Sequence, residues 1–284
     1  MELRVLSEKD MTFFEDNGYL VVPNAVPQEN LDALISAIFE YLEMDANDPS
    51  TWYPAERKSA LVHFHQHPAL WANRQYPKVH DIFTDLLGTE KLWVSLDRAG
   101  MKPPVNPDHP LGDDNGFIHW DLDTTKPLPT RPFVQGVLSL TDTDADMGGF
   151  QCIPGFHKDL DKWLDAYPEA RPARSPKSFP LPEGMAITPI PMKAGDLVIW
   201  NSLLAHGNGR NEGTRPRLAQ YLTMHRVPEN FEEGVADRIA SFEEKRATLS
   251  WEREVPEPYK GSERKYPHAD LTPLGRKLLG YDKW

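Results

Sequence analysis

The chain has 284 residues, 39% hydrophobic and 26% charged, the balance of a folded protein rather than a disordered one. A formal net charge of −12 without a basic stripe excludes a phosphate-neutralising nucleic-acid surface and disfavours anionic membranes. One cysteine, Cys152, excludes an intrachain disulfide, and no apolar run approaches the roughly 20 residues of a membrane span. The start, Met1-Glu2-Leu3-Arg4-Val5, offers no apolar signal-peptide core, so a soluble cytoplasmic protein is expected.

In chain order, Ser7 is placed to cap a short helix carrying Met11, Phe13 and Phe14, which Asn17-Gly18 ends. Tyr19-Leu20-Val21-Val22 reads as a strand. Pro27 opens a second helix whose stripe is Leu31, Leu34, Ile35, Ile38, Phe39 and Leu42. Another stripe, Val79, Ile82, Phe83, Leu86 and Leu87, is closed by Gly88. These helices are expected to pack on a sheet. From Leu92 onward the pattern turns to strands, clearest at Leu92–Leu96 and Phe133–Leu140. Proline-rich loops at 103–110 and 125–132 flank a strand over Gly116–Asp121. A proline-rich surface insertion is expected at 154–184. Many short strands separated by turn residues fit a mainly β, double-sheet jelly roll within one domain, residues 1–284. Residues 227–284 read as a C-terminal extension that wraps the barrel or forms a subunit contact.

His119-Trp120-Asp121, followed by His206 and then Arg217, carries the chemistry. Two histidines and a carboxylate are the protein half of an octahedral iron(II) site. They leave three positions open, enough for a bidentate oxoacid and for O2. Alternation along a strand puts His119 and Asp121 on one face and turns Trp120 away into packing. His206 follows the apolar strand Leu197-Val198-Ile199-Trp200. Arg217 opens another strand, Arg217–Met224, where a guanidinium could clamp the oxoacid's far carboxylate bidentately.

These stretches resemble the phytanoyl-CoA dioxygenase family of iron(II)/2-oxoglutarate oxygenases, from about residue 7 to 226. Lys102-Pro103-Pro104 is similar to the family's lysine-proline segment ahead of H-x-D. Gly148-Gly149-Phe150-Gln151-Cys152-Ile153-Pro154-Gly155-Phe156-His157-Lys158 is similar to its G-x-L-x-x-x-P-G-S-H-K stretch, with Phe156 where serine is usual. Ala194–Trp200 through His206-Gly207 matches the strand with the distal histidine, and Arg215-Pro216-Arg217 the segment with the 2-oxoglutarate arginine. The resemblance implies a double-stranded β-helix (cupin-like jelly roll) with N-terminal helices on the outer sheet. It also implies a dioxygenase using iron(II), 2-oxoglutarate and O2 to hydroxylate or otherwise oxidise a small molecule. His119, Asp121 and His206 would be its metal ligands. Lys102 would then be a candidate for a 2-oxoglutarate carboxylate.

Other residues invite weighing. Gln135, in a core strand, needs partners for a buried amide, and cofactor contact is one way to provide them. Trp200 is placed to pack over the cofactor. His63-Phe64-His65-Gln66-His67 has no acidic or cysteine partner nearby to make a zinc site, so His65 is read as substrate-facing or as part of a loop before Pro68. Asp97 and Arg98 end a strand and either contact substrate or pair at the surface. Asp123 is substrate-facing or solvated. Asp142, Asp144 and Asp146 lack the glycine and final glutamate of a calcium loop. Two rivals stay open: another metal-dependent hydrolase or isomerase on the same barrel, and a non-catalytic binding protein. No basic site for the phosphates of a CoA ester is evident.

Overall fold

In this computed structural model, which describes residues 2–112, 114–173, 175–176 and 179–284, the N-terminal helix begins where its cap requires. The Ser7 hydroxyl accepts from the Asp10 amide while the Asp10 carboxylate accepts from the Ser7 amide, a capping box worth about 1 kcal/mol. The helices are α1 (Glu8–Asn17), α2 (Gln28–Leu42), α3 (Pro68–Arg74), α4 (Pro77–Leu87), α5 (Leu160–Ala166), α6 (Ala170–Ala173), α7 (Glu232–Glu244), α8 (Leu249–Glu252) and α9 (Pro273–Leu279). The strands are β1 (Tyr19–Val22), β2 (Leu61–Val62), β3 (Leu92–Val94), β4 (Ala99–Lys102), β5 (Val134–Ser139), β6 (Phe150–Cys152), β7 (Thr188–Pro189), β8 (Leu197–Asn201), β9 (His206–Asn208), β10 (Arg217–Tyr221) and β11 (Met224–Arg226). Gly18 and Gly88 end α1 and α4 in the left-handed conformation, as the sequence requires.

The strands form an antiparallel six-stranded sheet, ordered β1-β8-β5-β10-β4-β2, a smaller sheet β7-β6-β9, and a β11-β3 pair. Period-2 alternation decides what each face of the large sheet meets. Leu138, Leu197, Ile199 and Leu218 join α2's Leu31, Leu34 and Ile38 and α4's Ile82 and Phe83 in one apolar cluster. Val137, Val198, Trp200 and Ala219 join Phe150 and Cys152 of the smaller sheet in a second. Each fully buried aliphatic or aromatic side chain here contributes about 1.5–3 kcal/mol. Residues of α2 and α4 thus share the cluster with one face of the large sheet, and the other face meets the smaller sheet and α5.

Two expectations change. Gly116–Asp121 is not a regular strand: His119 alone forms an isolated bridge, paired with His206. Gly116 takes a φ of 67°, which breaks the extended run before it can lengthen. Residues 154–184 are not merely a surface insertion either. Phe156, Leu160, Trp163 and Leu164 are buried against Trp120, whose ring lies 5.8 Å from that of Trp163. Ser175 donates to the Ile118 carbonyl at 2.7 Å, and Arg171 to that of Thr124 at 2.9 Å. The segment buttresses the stretch that carries His119 and Asp121. The C-terminal residues pack back on the same chain: Trp284 Nε1 donates to the Leu92 carbonyl at 3.0 Å, and Arg238 to that of Val94 at 2.7 Å. Among the described residues, no helix is long and apolar enough to cross a membrane.

Candidate active site

His119 and His206 exchange both backbone hydrogen bonds, at 2.7 and 2.8 Å, which locks the two histidines side by side with ring centroids 4.7 Å apart. That approach depends on Gly207. A Cβ there would lie 2.0 Å from the Phe117 carbonyl oxygen, which a side chain cannot tolerate. Asp121 completes the set: its carboxylate oxygens lie 3.0 Å from His119 Nε2 and 3.5 Å from His206 Nε2. The three ligand atoms all fall within 4.8 Å of one another, and among the described residues no other group of histidine, cysteine or carboxylate side chains converges in this way.

The surroundings set the electronic state of these groups. His206 Nδ1 lies 2.8 Å from the Leu204 carbonyl, an acceptor that holds a proton on Nδ1 once a metal ion takes the Nε2 lone pair. Gln135 Nε2 donates to Asp121 Oδ2 at 2.9 Å. Desolvation opposes ionisation of Asp121, but hydrogen bonds from His119, His206 and Gln135 outweigh it and hold the carboxyl well below the usual carboxylate range. A fully ionised carboxylate facing the Nε2 atoms of two imidazoles, whose protons a metal would replace, is the donor set that a borderline divalent ion such as iron(II) takes.

The triad opens into a cavity of about 550 Å³, in the size range of small-molecule sites. Trp200 lines it, its ring 4.9 Å from that of His206, and Phe150 lies beyond. Arg98 lines it too, donating from Nε to Asp97 at 3.0 Å. Arg217 and Lys102 sit directly opposite each other in the β10–β4 ladder, and both are buried. Arg217 shares its face of β10 with Ala219 and Tyr221, the face turned towards the second apolar cluster. Lys102 donates to the Gly209 carbonyl at 3.0 Å. Arg215 is exposed in the bend before β10.

Some expected contacts fall elsewhere. Gln135 Nε2 is engaged by Asp121, one of the three converging side chains. His65 is fully buried and not among the residues that line the cavity, its Nδ1 3.0 Å from the Leu96 carbonyl. Burial, followed by the nearby Arg98 charge, pushes its pKa down to about 3. His63 and His67 are likewise packed, against Tyr259 and Tyr266. Asp123 turns outward to Thr125 and Lys126, because Leu122 and Thr124 take the buried positions of that turn. Asp142 accepts from the Ala194 amide and from Lys193, as a polar turn would. Trp251 and Glu254 line the cavity from far along the chain; sequence marks Trp251 only as an aromatic anchor of the C-terminal extension and does not mark Glu254.

The phytanoyl-CoA dioxygenase model matches residues 14–219, which span every element just described except the C-terminal wall. The chain belongs to the phytanoyl-CoA dioxygenase family. As a member, it is an iron(II)/2-oxoglutarate-dependent dioxygenase. A Dictyostelium discoideum protein named for phytanoyl-CoA dioxygenase is 26% identical, over 75% of this chain and 73% of its own length. Among solved structures, the epimerase SnoN, in complex with Fe3+, alpha-ketoglutarate and nogalamycin RO, is similar with a TM-score of 0.55 and 15% identity, over 93% of this chain and 95% of that one. HygX from Streptomyces hygroscopicus, with nickel, 2-oxoglutarate and hygromycin B bound, is similar with a TM-score of 0.53 and 16% identity, over 78% of this chain and 88% of that one. At such identities the structural likenesses speak for the fold alone.

Proposed function

We propose that this family member hydroxylates, or otherwise oxidises, a small-molecule metabolite within a single domain whose two sheets make a double-stranded β-helix. The converging His119, Asp121 and His206 donor set carries the reading. These three side chains would hold iron(II), and Gln135 and the Leu204 carbonyl would keep Asp121 and His206 aimed at it. A bound iron(II) ion supplies O2 activation coupled to decarboxylation of 2-oxoglutarate to succinate. Arg217, buried and facing the interior, would receive the far carboxylate of 2-oxoglutarate, and Lys102 across the ladder would add a second positive charge. Trp200 and Phe150 wall the space beside His206 and limit water at the reacting centre. Asp121 retains the metal carboxylate that a chloride-transferring site of this kind would lack.

The cavity's size suits a metabolite rather than the whole of an acyl-CoA, since Arg98 is the one lysine or arginine among its described lining residues and is already paired. Incubation of the iron-loaded protein with 2-oxoglutarate, a metabolite pool and 18O2 tests the reading. A product carrying one labelled oxygen supports it. Turnover of a pool member without consumption of 2-oxoglutarate would favour a hydrolase or isomerase on the same barrel.

A further inference from the structure

Trp251 and Glu254 line the cavity that holds the triad, although both lie beyond residue 219, where the family match ends. What places them there is Arg98. Its guanidinium stands 4.3 Å over the Trp251 ring, its Nη2 lies 3.6 Å from Glu254, and its Nε is bonded to Asp97. Its backbone is fixed as well, because the Tyr221 amide donates to the Arg98 carbonyl at 3.0 Å. Arg98 has only 3% of its side chain exposed, whereas Glu254 has 56%. A buried arginine on the rigid sheet thus pins an aromatic ring and a carboxylate from the C-terminal segment onto the cavity wall.

We infer that this wall selects the substrate, and that it takes a ring-bearing molecule with a hydrogen-bond donor, and no anion, at the end meeting Trp251. The inference rests on the oxygenase reading above and specifies its substrate. Charge decides the class. Among the lining residues here Arg98 faces two carboxylates, so the wall itself carries an excess of one negative charge, and although the buried Arg74 donates to the Asp97 carbonyl from outside the lining, a third carboxylate entering beside Glu254 would be repelled. A donor, whether hydroxyl or ammonium, meets Glu254 and Asp97 as ready acceptors. The apolar part of the wall, Trp251 with Tyr221, Val137 and Leu61, rewards flat rings, which prefer offset or edge-on contact with aromatic partners. Arg98 acts through Trp251 and Glu254 and is a positioning residue.

The test uses three probes that share one ring system: 2-naphthalenemethanol, 2-naphthalenemethylamine and 2-naphthoate. Each is titrated calorimetrically into the full chain, loaded anaerobically with iron(II) and 2-oxoglutarate so that no turnover occurs. The alcohol or the amine should bind at least about tenfold more tightly than the carboxylate, and whichever of the two binds better identifies the donor. Trp251→Ala should weaken the preferred probe by about tenfold or more, with Trp251→Phe restoring most of the loss. Glu254→Gln, at an exposed side chain, keeps the question answerable if Trp251→Ala fails to fold. It should narrow the gap between amine and carboxylate. Equal or tighter binding of the carboxylate, no binding of any probe, or indifference to both Trp251→Phe and Glu254→Gln would overturn the inference. Failure of the native protein to load iron or 2-oxoglutarate, measured first, would instead remove the oxygenase reading beneath it.

Discussion

Replacing Gln135 by leucine keeps the volume of the side chain and removes a single hydrogen bond, the 2.9 Å contact from Nε2 to Asp121 Oδ2. A bond to a charged acceptor is worth about 1.5–3 kcal/mol, and each 1.4 kcal/mol is about tenfold in affinity. The Asp121 side chain is 43% exposed, so water can replace part of what the amide supplies, which places the loss near the lower end. Iron(II) affinity should therefore fall about tenfold, within the roughly 10–100-fold range typical of residues that orient a metal ligand. Anaerobic titration of iron(II) into native and Gln135→Leu protein reads this directly. A parallel 2-oxoglutarate titration at saturating iron separates the two possible roles of the amide. Unchanged iron affinity with weakened 2-oxoglutarate binding would refute the role assigned to Gln135 and restore the cofactor contact expected from sequence.

Other substitutions give equally definite outcomes. Arg217→Lys keeps the charge but loses the paired hydrogen bonds, so 2-oxoglutarate should weaken by about 1.5–3 kcal/mol with iron little affected, while Arg215→Lys, in the exposed bend, should be nearly neutral. The reverse pattern in anaerobic titrations would shift the assignment to Arg215. Gly207→Ala forces a Cβ onto the Phe117 carbonyl and should cost iron binding even where the far-UV circular dichroism spectrum is native; retained iron affinity would show that the His119–His206 bridge is dispensable. Acid lability should follow from buried His65. Its folded-state pKa, about 3, lies below the unfolded value near 6.5, so the stability it contributes is present above pH 6.5 and is lost as pH falls towards 3. Glu263, raised by burial to about 7, works in the opposite sense between its unfolded value of 4.5 and pH 7, so the comparison of interest is between variants. His65→Asn should show a shallower fall of Tm from pH 6.5 to pH 4 than the native protein; parallel curves would contradict the burial argument.

The parts of this molecule that are legible in sequence are those set by local rules. Ser7 and Asp10 announce α1, Gly88 announces the end of α4, and the stripes of α2 and α4 announce the face they bury. The H-x-D pair is legible as a pair, but its mechanism is not. Alternation suggested a strand, whereas a single bridge to His206, made possible by Gly207, holds His119 in place. The role of 154–184 was hidden because its prolines and charges mask Phe156, Leu160 and Trp163, which cover Trp120 only after the chain has turned back on itself. Of the two readings of His65, the loop before Pro68 is the one the structure shows, and sequence could not decide it because the burial of these histidines depends on the distant Tyr259 and Glu263. Glu254 had no local signal, and Trp251 only that of an aromatic anchor in the C-terminal extension. Their place in the cavity is decided by the cation–π and charge contacts with Arg98, more than 150 residues away in sequence.

The most direct measurement is of succinate released from 2-oxoglutarate by the purified protein, with and without iron(II), with and without O2, in the native chain and in Asp121→Ala. The triad predicts release only when iron(II) and O2 are both present, and essentially none from Asp121→Ala while 2-oxoglutarate itself stays intact. Release that does not depend on added iron in metal-free protein, or near-native release from Asp121→Ala, would contradict the assignment of His119, Asp121 and His206 as the iron site.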